Sequence, residues 1–182
     1  MEIRAMISYR IGGRIVRLAV LAAGLLGSAC WNPFAPKLTR SLEASDMIVT
    51  EQKSAEDVLQ NFKVAYAFRD SLLYSDLLDT GFQFVYFNPD EGTSGRFDSW
   101  GRDVDLRTTG RMLRHFQVVD LVWKSTLSER KDEDGGEISK GFDLTLVAED
   151  FDVKISGRAF FEFRKCRDEK WRIKKWTDDS DN

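Results

Sequence analysis

The stretch FDVKISGRAFFEFR, Phe151 to Arg164, decides the fold. Phe151, Val153, Ile155, Gly157, Ala159, Phe161 and Phe163 fall on one face of an extended chain. Asp152, Lys154, Ser156, Arg158, Glu162 and Arg164 fall on the other, with Phe160 the one apolar intruder. Alternation at period two is the pattern of a strand with one face buried. At ~3.3 Å per residue this strand is about 45 Å long, far above the usual length. A strand of that length must bend to follow a compact core, and Gly157 is expected to mark the bend. A long, one-sided sheet also needs a cover for its apolar face.

Outward from this strand, Lys140 to Asp178 reads as three consecutive antiparallel strands. In the last, Trp171 and Ile173 alternate but Trp176 falls out of phase, which predicts a bulge near Lys174 or Lys175. Asp178 to Asn182 reads as a frayed acidic tail. Upstream, Val118 to Leu127 is a strand with Val119, Leu121, Trp123 and Leu127 on one face, followed by a charged turn over Ser128 to Glu137. Thr108 to Phe116 is expected to be helical, with Met112, Leu113 and Phe116 inward. Phe82 to Phe87 is a strand with aromatics on both faces, hence covered on both, and residues 88–102 read as a long surface loop.

The cover comes from the segment that begins at Ser54. Ser54 and Asp57 form a capping-box signal, and Val58, Leu59, Phe62, Ala65, Tyr66 and Phe68 follow at helical spacing. Asp70 or Ser71 caps a second short helix with Leu72, Leu73, Leu77 and Leu78 as its apolar positions, closed by Gly81. Helices first and a curved antiparallel sheet last is an α+β order.

Ahead of that domain the chain changes character. Arg4, Arg10, Arg14 and Arg17 precede an uncharged run, Leu18 to Ala29, too short for a comfortable membrane span but matched to a signal-peptide core. The net charge of −3 becomes −6 without residues 1–29 (27 − 4 basic against 30 − 1 acidic), and a mildly acidic body argues against a nucleic-acid partner. Gly27-Ser28-Ala29-Cys30 resembles the end of a bacterial lipoprotein signal, although Gly27 stands where that motif usually has Leu. The resemblance implies cleavage before Cys30, acylation of Cys30, and a partner in the lipid bilayer of the bacterial envelope, on the periplasmic or surface side of an outer membrane. Two or three acyl chains anchor durably where one does not. An ordinary secretory signal or an uncleaved anchor is the alternative. The expected division is therefore 1–29 signal peptide, 30–53 lipidated cysteine and tether, and 54–182 the folded domain. Pro33 and Pro36 bar regular structure in the tether. Only Cys166 remains besides Cys30, so neither a disulfide nor zinc spacing is expected.

Leu73 to Phe84 (LYSDLLDTGFQF) and Lys170 to Trp176 (KWRIKKW) resemble the nuclear transport factor 2-like superfamily, which includes SnoaL-like cyclases and ketosteroid isomerases. The resemblance spans about residues 54–178 and implies a cone-shaped curved sheet wrapped around the N-terminal helices. It also implies that an enzyme of this kind would carry a carboxylate base inside the cone, raised in pKa by burial. The start Asn32-Pro33-Phe34-Ala35-Pro36 is similar to that of uncharacterised bacterial lipoproteins.

No catalytic constellation, metal cluster or cofactor motif can be assembled from the sequence. The polar stretch that looks built is GRFDSWGRDVD, Gly95 to Asp105, with Arg96, Asp98, Trp100, Arg102 and Asp103 as candidate ligand-binding residues on a rim. The competing account has Asp98 or Ser99 capping a helical turn, Trp100 in the core and the charges paired locally. Asp120 and His115 are expected outside the core. Three functions stay open: a non-catalytic cone that binds a small apolar ligand on an envelope lipoprotein, a lyase or isomerase with a buried carboxylate, and an interaction module that forms a homodimer through the open sheet face with Phe160. A buried polar group inside the cone favours the enzyme.

Overall fold

The computed structural model describes residues 48–91 and 93–181, with the side chains of 180 and 181 left aside. Cys30, the expected signal peptide and the tether up to residue 47 lie outside the described residues. Three helices and six strands follow in the order α1 (Ala55–Ala67), α2 (Ser71–Leu77), β1 (Leu78–Asn88), β2 (Arg96–Gly101), α3 (Arg102–His115), β3 (Val118–Lys131), β4 (Gly135–Val147), β5 (Asp152–Lys165) and β6 (Trp171–Asp181).

The strands form one sheet in the order β2-β1-β6-β5-β4-β3. Every neighbouring pair is antiparallel except β1–β6, which runs parallel with Leu78 beside Ile173 and Phe84 beside Trp176. The sheet is thus mixed rather than wholly antiparallel, because two strands far apart in sequence meet in its middle.

β5 is the long strand expected, with Ala159, Phe161 and Phe163 buried and Phe160 exposed among charges. Both of its ladders pass through Gly157 without a register shift. The irregularities lie elsewhere: Glu162 pairs with Lys175 but Phe163 with Ile173, which leaves Lys174 as the extra residue of a bulge. That slip brings Trp176 onto the face of Phe161, with ring centroids 5.6 Å apart. β3 carries two more shifts between Trp123 and Ser128, and within the second Leu127 turns out to solvent.

α1 starts where its cap predicts. Ser54 Oγ accepts from the Asp57 N–H at 3.1 Å, a bond that stabilises such a helix by about 1 kcal/mol. Val58, Leu59, Phe62 and Ala65 bury one stripe against the sheet. Phe68, expected in that stripe, is exposed because the helix ends at Ala67. Asp70 caps α2 by accepting from the N–H groups of Leu72 and Leu73. The buried positions of α2 are Tyr74 and Leu77, and Leu72 faces water. Gly81 does not end it; β1 has already begun at Leu78.

β1 is not covered on both faces: Phe82 and Phe84 are buried, whereas Phe87 is exposed, with the Phe97 ring 5.5 Å away. The expected loop 88–102 contains β2, and Gly95 before it has φ +73° with the Phe87 ring where a Cβ would stand. Helix α3 begins at Arg102, six residues before Thr108. The charged turn contracts to Asp132–Asp134, since β3 and β4 pair as far as Lys131 and Gly136. Ahead of α1 the chain already bonds to the domain: Thr50 N–H donates to Asn61 Oδ1 at 2.7 Å, and Trp171 N–H donates to Gln52 O at 2.8 Å. None of the described helices is long and apolar enough to cross a membrane.

Candidate functional site

α3 positions the polar centre of the cone. Asp105, Thr109, Met112 and Leu113 recur at helical spacing and form its inward face. Asp105 is 2% exposed. Its Oδ2 accepts from the Tyr74 hydroxyl at 2.7 Å and its Oδ1 from the Trp100 indole N–H at 3.1 Å. These donors come from α2 and from the end of β2, so three separate elements converge on one carboxyl group.

A cavity of about 330 Å³ opens beside it. Phe62 and Tyr66 of α1, Phe84 of β1, Trp100 of β2, Trp123 of β3, Phe142 and Leu144 of β4, Ile155 of β5 and Trp176 of β6 supply apolar walls. The polar groups on the wall are Asp105, Thr108, Thr109 and Asp178. No Lys, Arg or His lines it among the described residues. The Trp176 indole N–H is buried without a hydrogen-bond partner. The volume lies at the small end of the range for ligand pockets.

Burial pushes the Asp105 pKa above the usual carboxylate value, and the hydrogen bonds from Tyr74 and Trp100 oppose the rise without cancelling it. Burial also raises both phenols, Tyr74 and Tyr66, helped by the negative charge of Asp105. The two tyrosines therefore keep their protons, and Asp105 is a group on this wall that takes up a proton more readily than an ordinary carboxylate.

A second concavity, about 880 Å³, lies outside, between α2, the start of β1 and the β5–β6 turn. It carries Arg102, Arg164, Lys165, Arg167 and Arg172 with Asp76, Asp79 and Asp168. Most of these charges already pair. Arg164 bonds Asp79 at 2.5 Å, Arg172 bonds Asp168 at 2.7 Å and Asp76 at 3.3 Å, and Lys165 bonds Glu169 at 2.5 Å. Arg172 holds Asp168 down to about 2. Paired charges on a wet surface make a framework rather than a reaction centre.

The five rim residues are scattered. Arg96 is exposed on β2 and pairs with Glu91 and Asp98. Asp98 and Trp100 alternate onto the face of Tyr86 and Phe84, but only Trp100 of the five reaches the cavity. It stacks on Phe84 at 4.6 Å and meets Tyr86 at 4.8 Å. Arg102 turns the other way and donates to Ser75 O and Oγ, both at 2.9 Å, and Asp103 is exposed in the first turn of α3. Neither Asp98 nor Ser99 caps that helix; Gly101 stands at the cap without a side-chain bond. His115 is exposed at the far end of α3, and Asp120 is half-buried on β3. Sequence reasoning missed Asp105 and Asp178. Extending the helical period back from Met112 through Thr109 reaches Asp105, and carrying the β6 alternation past Trp176 reaches Asp178.

No family model matches the chain, and no curated protein matches it. Solved structures do. A candidate scytalone dehydratase of Novosphingobium aromaticivorans aligns over 76% of this chain and 89% of its own, with 14% identity and a TM-score of 0.59. A protein of unknown function in nutrient uptake from Rhodospirillum rubrum, itself nuclear transport factor 2-like, aligns over 71% and 99% with 13% identity and a TM-score of 0.57. A candidate dehydratase of the same fold family from Streptomyces avermitilis aligns over 70% and 93% with 14% identity and a TM-score of 0.54. The fold is therefore the α+β cone of nuclear transport factor 2-like proteins.

Proposed function

We propose that the cone binds a small, mostly apolar molecule and that Asp105 moves a proton on it, as an isomerase or lyase does. The observation that carries this is the Asp105 carboxyl: buried on the wall of an aromatic cavity, raised in pKa, and touched by no cation. A carboxylate in that setting is a stronger base than one in water, and the surrounding rings exclude competing solvent. Tyr74 and Trp100 fix its orientation. Trp176 supplies a spare N–H donor on the same wall for a ligand oxygen. The dehydratase names of two structural neighbours run in the same direction.

Binding without turnover is the second reading. It is favoured by the fact that both oxygens of Asp105 already accept hydrogen bonds. One experiment separates the two. The bicyclic ketone 2-tetralone has acidic C–H bonds beside its carbonyl. Incubated in D₂O with the protein, it should exchange those hydrogens well above the buffer rate, and Asp105→Asn should bring the rate back to background while leaving ketone binding in place. Binding with no faster exchange in the wild type leaves the cavity a receptor.

The cone would be held at a bacterial envelope membrane by an acylated Cys30, as Gly27-Ser28-Ala29-Cys30 suggests. Labelled fatty acid fed to an expressing bacterium should enter the wild type and not Cys30→Ser; equal labelling sinks the anchor.

A further inference from the structure

The cavity beside Asp105 is walled by rings and acids, with no Lys, Arg or His among its described lining residues. The rings form one connected set. Phe84 and Trp100 have centroids 4.6 Å apart, Phe84 and Trp176 4.8 Å, Phe62 and Trp176 5.5 Å, and Phe62 and Trp123 5.8 Å. Aromatic faces carry negative potential, and indole binds a cation best. Asp105 adds an ionisable carboxyl group to that wall, and Asp178 also lies on the lining. In a cavity of low dielectric such fields are screened far less than in water. An anion entering here meets the Asp105 carboxyl and, among the described lining residues, no Lys, Arg or His, which opposes its desolvation. A neutral molecule gains apolar contact alone.

We infer that the preferred ligand of this cavity is a small organic cation: an aromatic or alicyclic molecule with one protonated or quaternary amine, its hydrocarbon against the rings and its charge against the acidic wall. The inference rests on the proposed binding role of this cavity and names the substrate class. The outer groove differs in composition, with five Arg and Lys side chains beside three Asp.

Three probes on one bicycle test this by calorimetry with the full chain: 2-aminotetralin (a cation at pH 7), 2-tetralol (neutral) and 1,2,3,4-tetrahydro-2-naphthoate (an anion). The amine should bind at least tenfold tighter than the alcohol, and the carboxylate weakest of the three. Asp105→Asn should reduce the preference for amine over alcohol. The ranking on the wild-type chain stands even if that variant fails to fold. An alcohol bound as tightly as the amine overturns the inference, as does a carboxylate that competes with it or a failure of all three to bind. Equal binding of amine and alcohol, together with exchange into 2-tetralone, overturns the cation and leaves the acid–base reading intact.

Discussion

Asp79 and Asp105 are equally buried, each 2% exposed, yet their pKa values move in opposite directions. At Asp105 burial wins, because its two donors are neutral groups. At Asp79 burial pushes the same way and loses. The Gly81 N–H at 2.8 Å, the Arg164 guanidinium at 2.5 Å and the Cys166 thiol at 3.5 Å together hold it below the usual range. The Gly81 N–H leads and the Arg164 guanidinium and Cys166 thiol add to it, and together these donors outweigh burial at Asp79. One carboxylate is committed to structure, and the other is left able to take a proton.

The largest effect that sharpens this contrast is at Trp100. Trp100→Ala removes a ring stacked on Phe84 and Tyr86 and one of the two donors to Asp105. Because the ring is only half-buried, the loss should be about 3 kcal/mol, read as a lower urea midpoint. A midpoint within experimental error of the wild type would mean that the stack adds nothing.

Next comes Asp79→Asn, which keeps an acceptor for Gly81 but loses the charge that faces Arg164. Arg164 is half-exposed, so the expected loss at pH 7 is about 1–2 kcal/mol rather than the larger cost of a fully buried pair. Asp79 has a depressed folded pKa, so its contribution is present above the ordinary Asp value and disappears as pH falls through the lower folded one. The gap between variant and wild type should close only in strong acid. A gap that stays constant from pH 7 to pH 3 would remove Arg164 from the account.

Arg102→Ala should cost about 1 kcal/mol, since its guanidinium bonds Ser75 across the outer groove. Equal stability of the two proteins would show those bonds to be idle. Asp105→Asn should change stability by less than about 1 kcal/mol at pH 7, with a gain favoured, because a raised folded pKa means the ionised form is penalised on folding. That penalty is relieved as pH falls through the raised pKa, so any gain should vanish at a higher pH than the one at which the Asp79→Asn gap closes. A loss above about 2 kcal/mol would show that the donors favour the ionised carboxylate more than burial opposes it.

What was legible in the sequence was local and periodic. The β5 alternation, the Ser54 and Asp70 caps and the Lys174 bulge follow from spacing within one segment. The elements that make the site follow from pairing across the chain. Arg96–Gly101 alternates so weakly between polar and aromatic residues that its strand shows only beside β1, whose residues Phe84 and Tyr86 it matches. Gly101 offers no capping side chain, so the start of α3 carried no signal and Asp105 stayed in the polar stretch ahead of the expected helix. Asp178 was hidden by its acidic neighbours, although β6 pairs it with Ala159. Composition described that segment as a tail, and its partner strand makes it a wall.

The parallel joint between β1 and β6 bears on how the protein is made. Leu78 cannot find Ile173, nor Phe84 find Trp176, until β6 has left the ribosome. Until then the edge of β1 that takes β6 has no partner, and the loop that must close between β1 and β6 spans most of the domain. Such non-local pairing is slow and leaves apolar strands open to other chains.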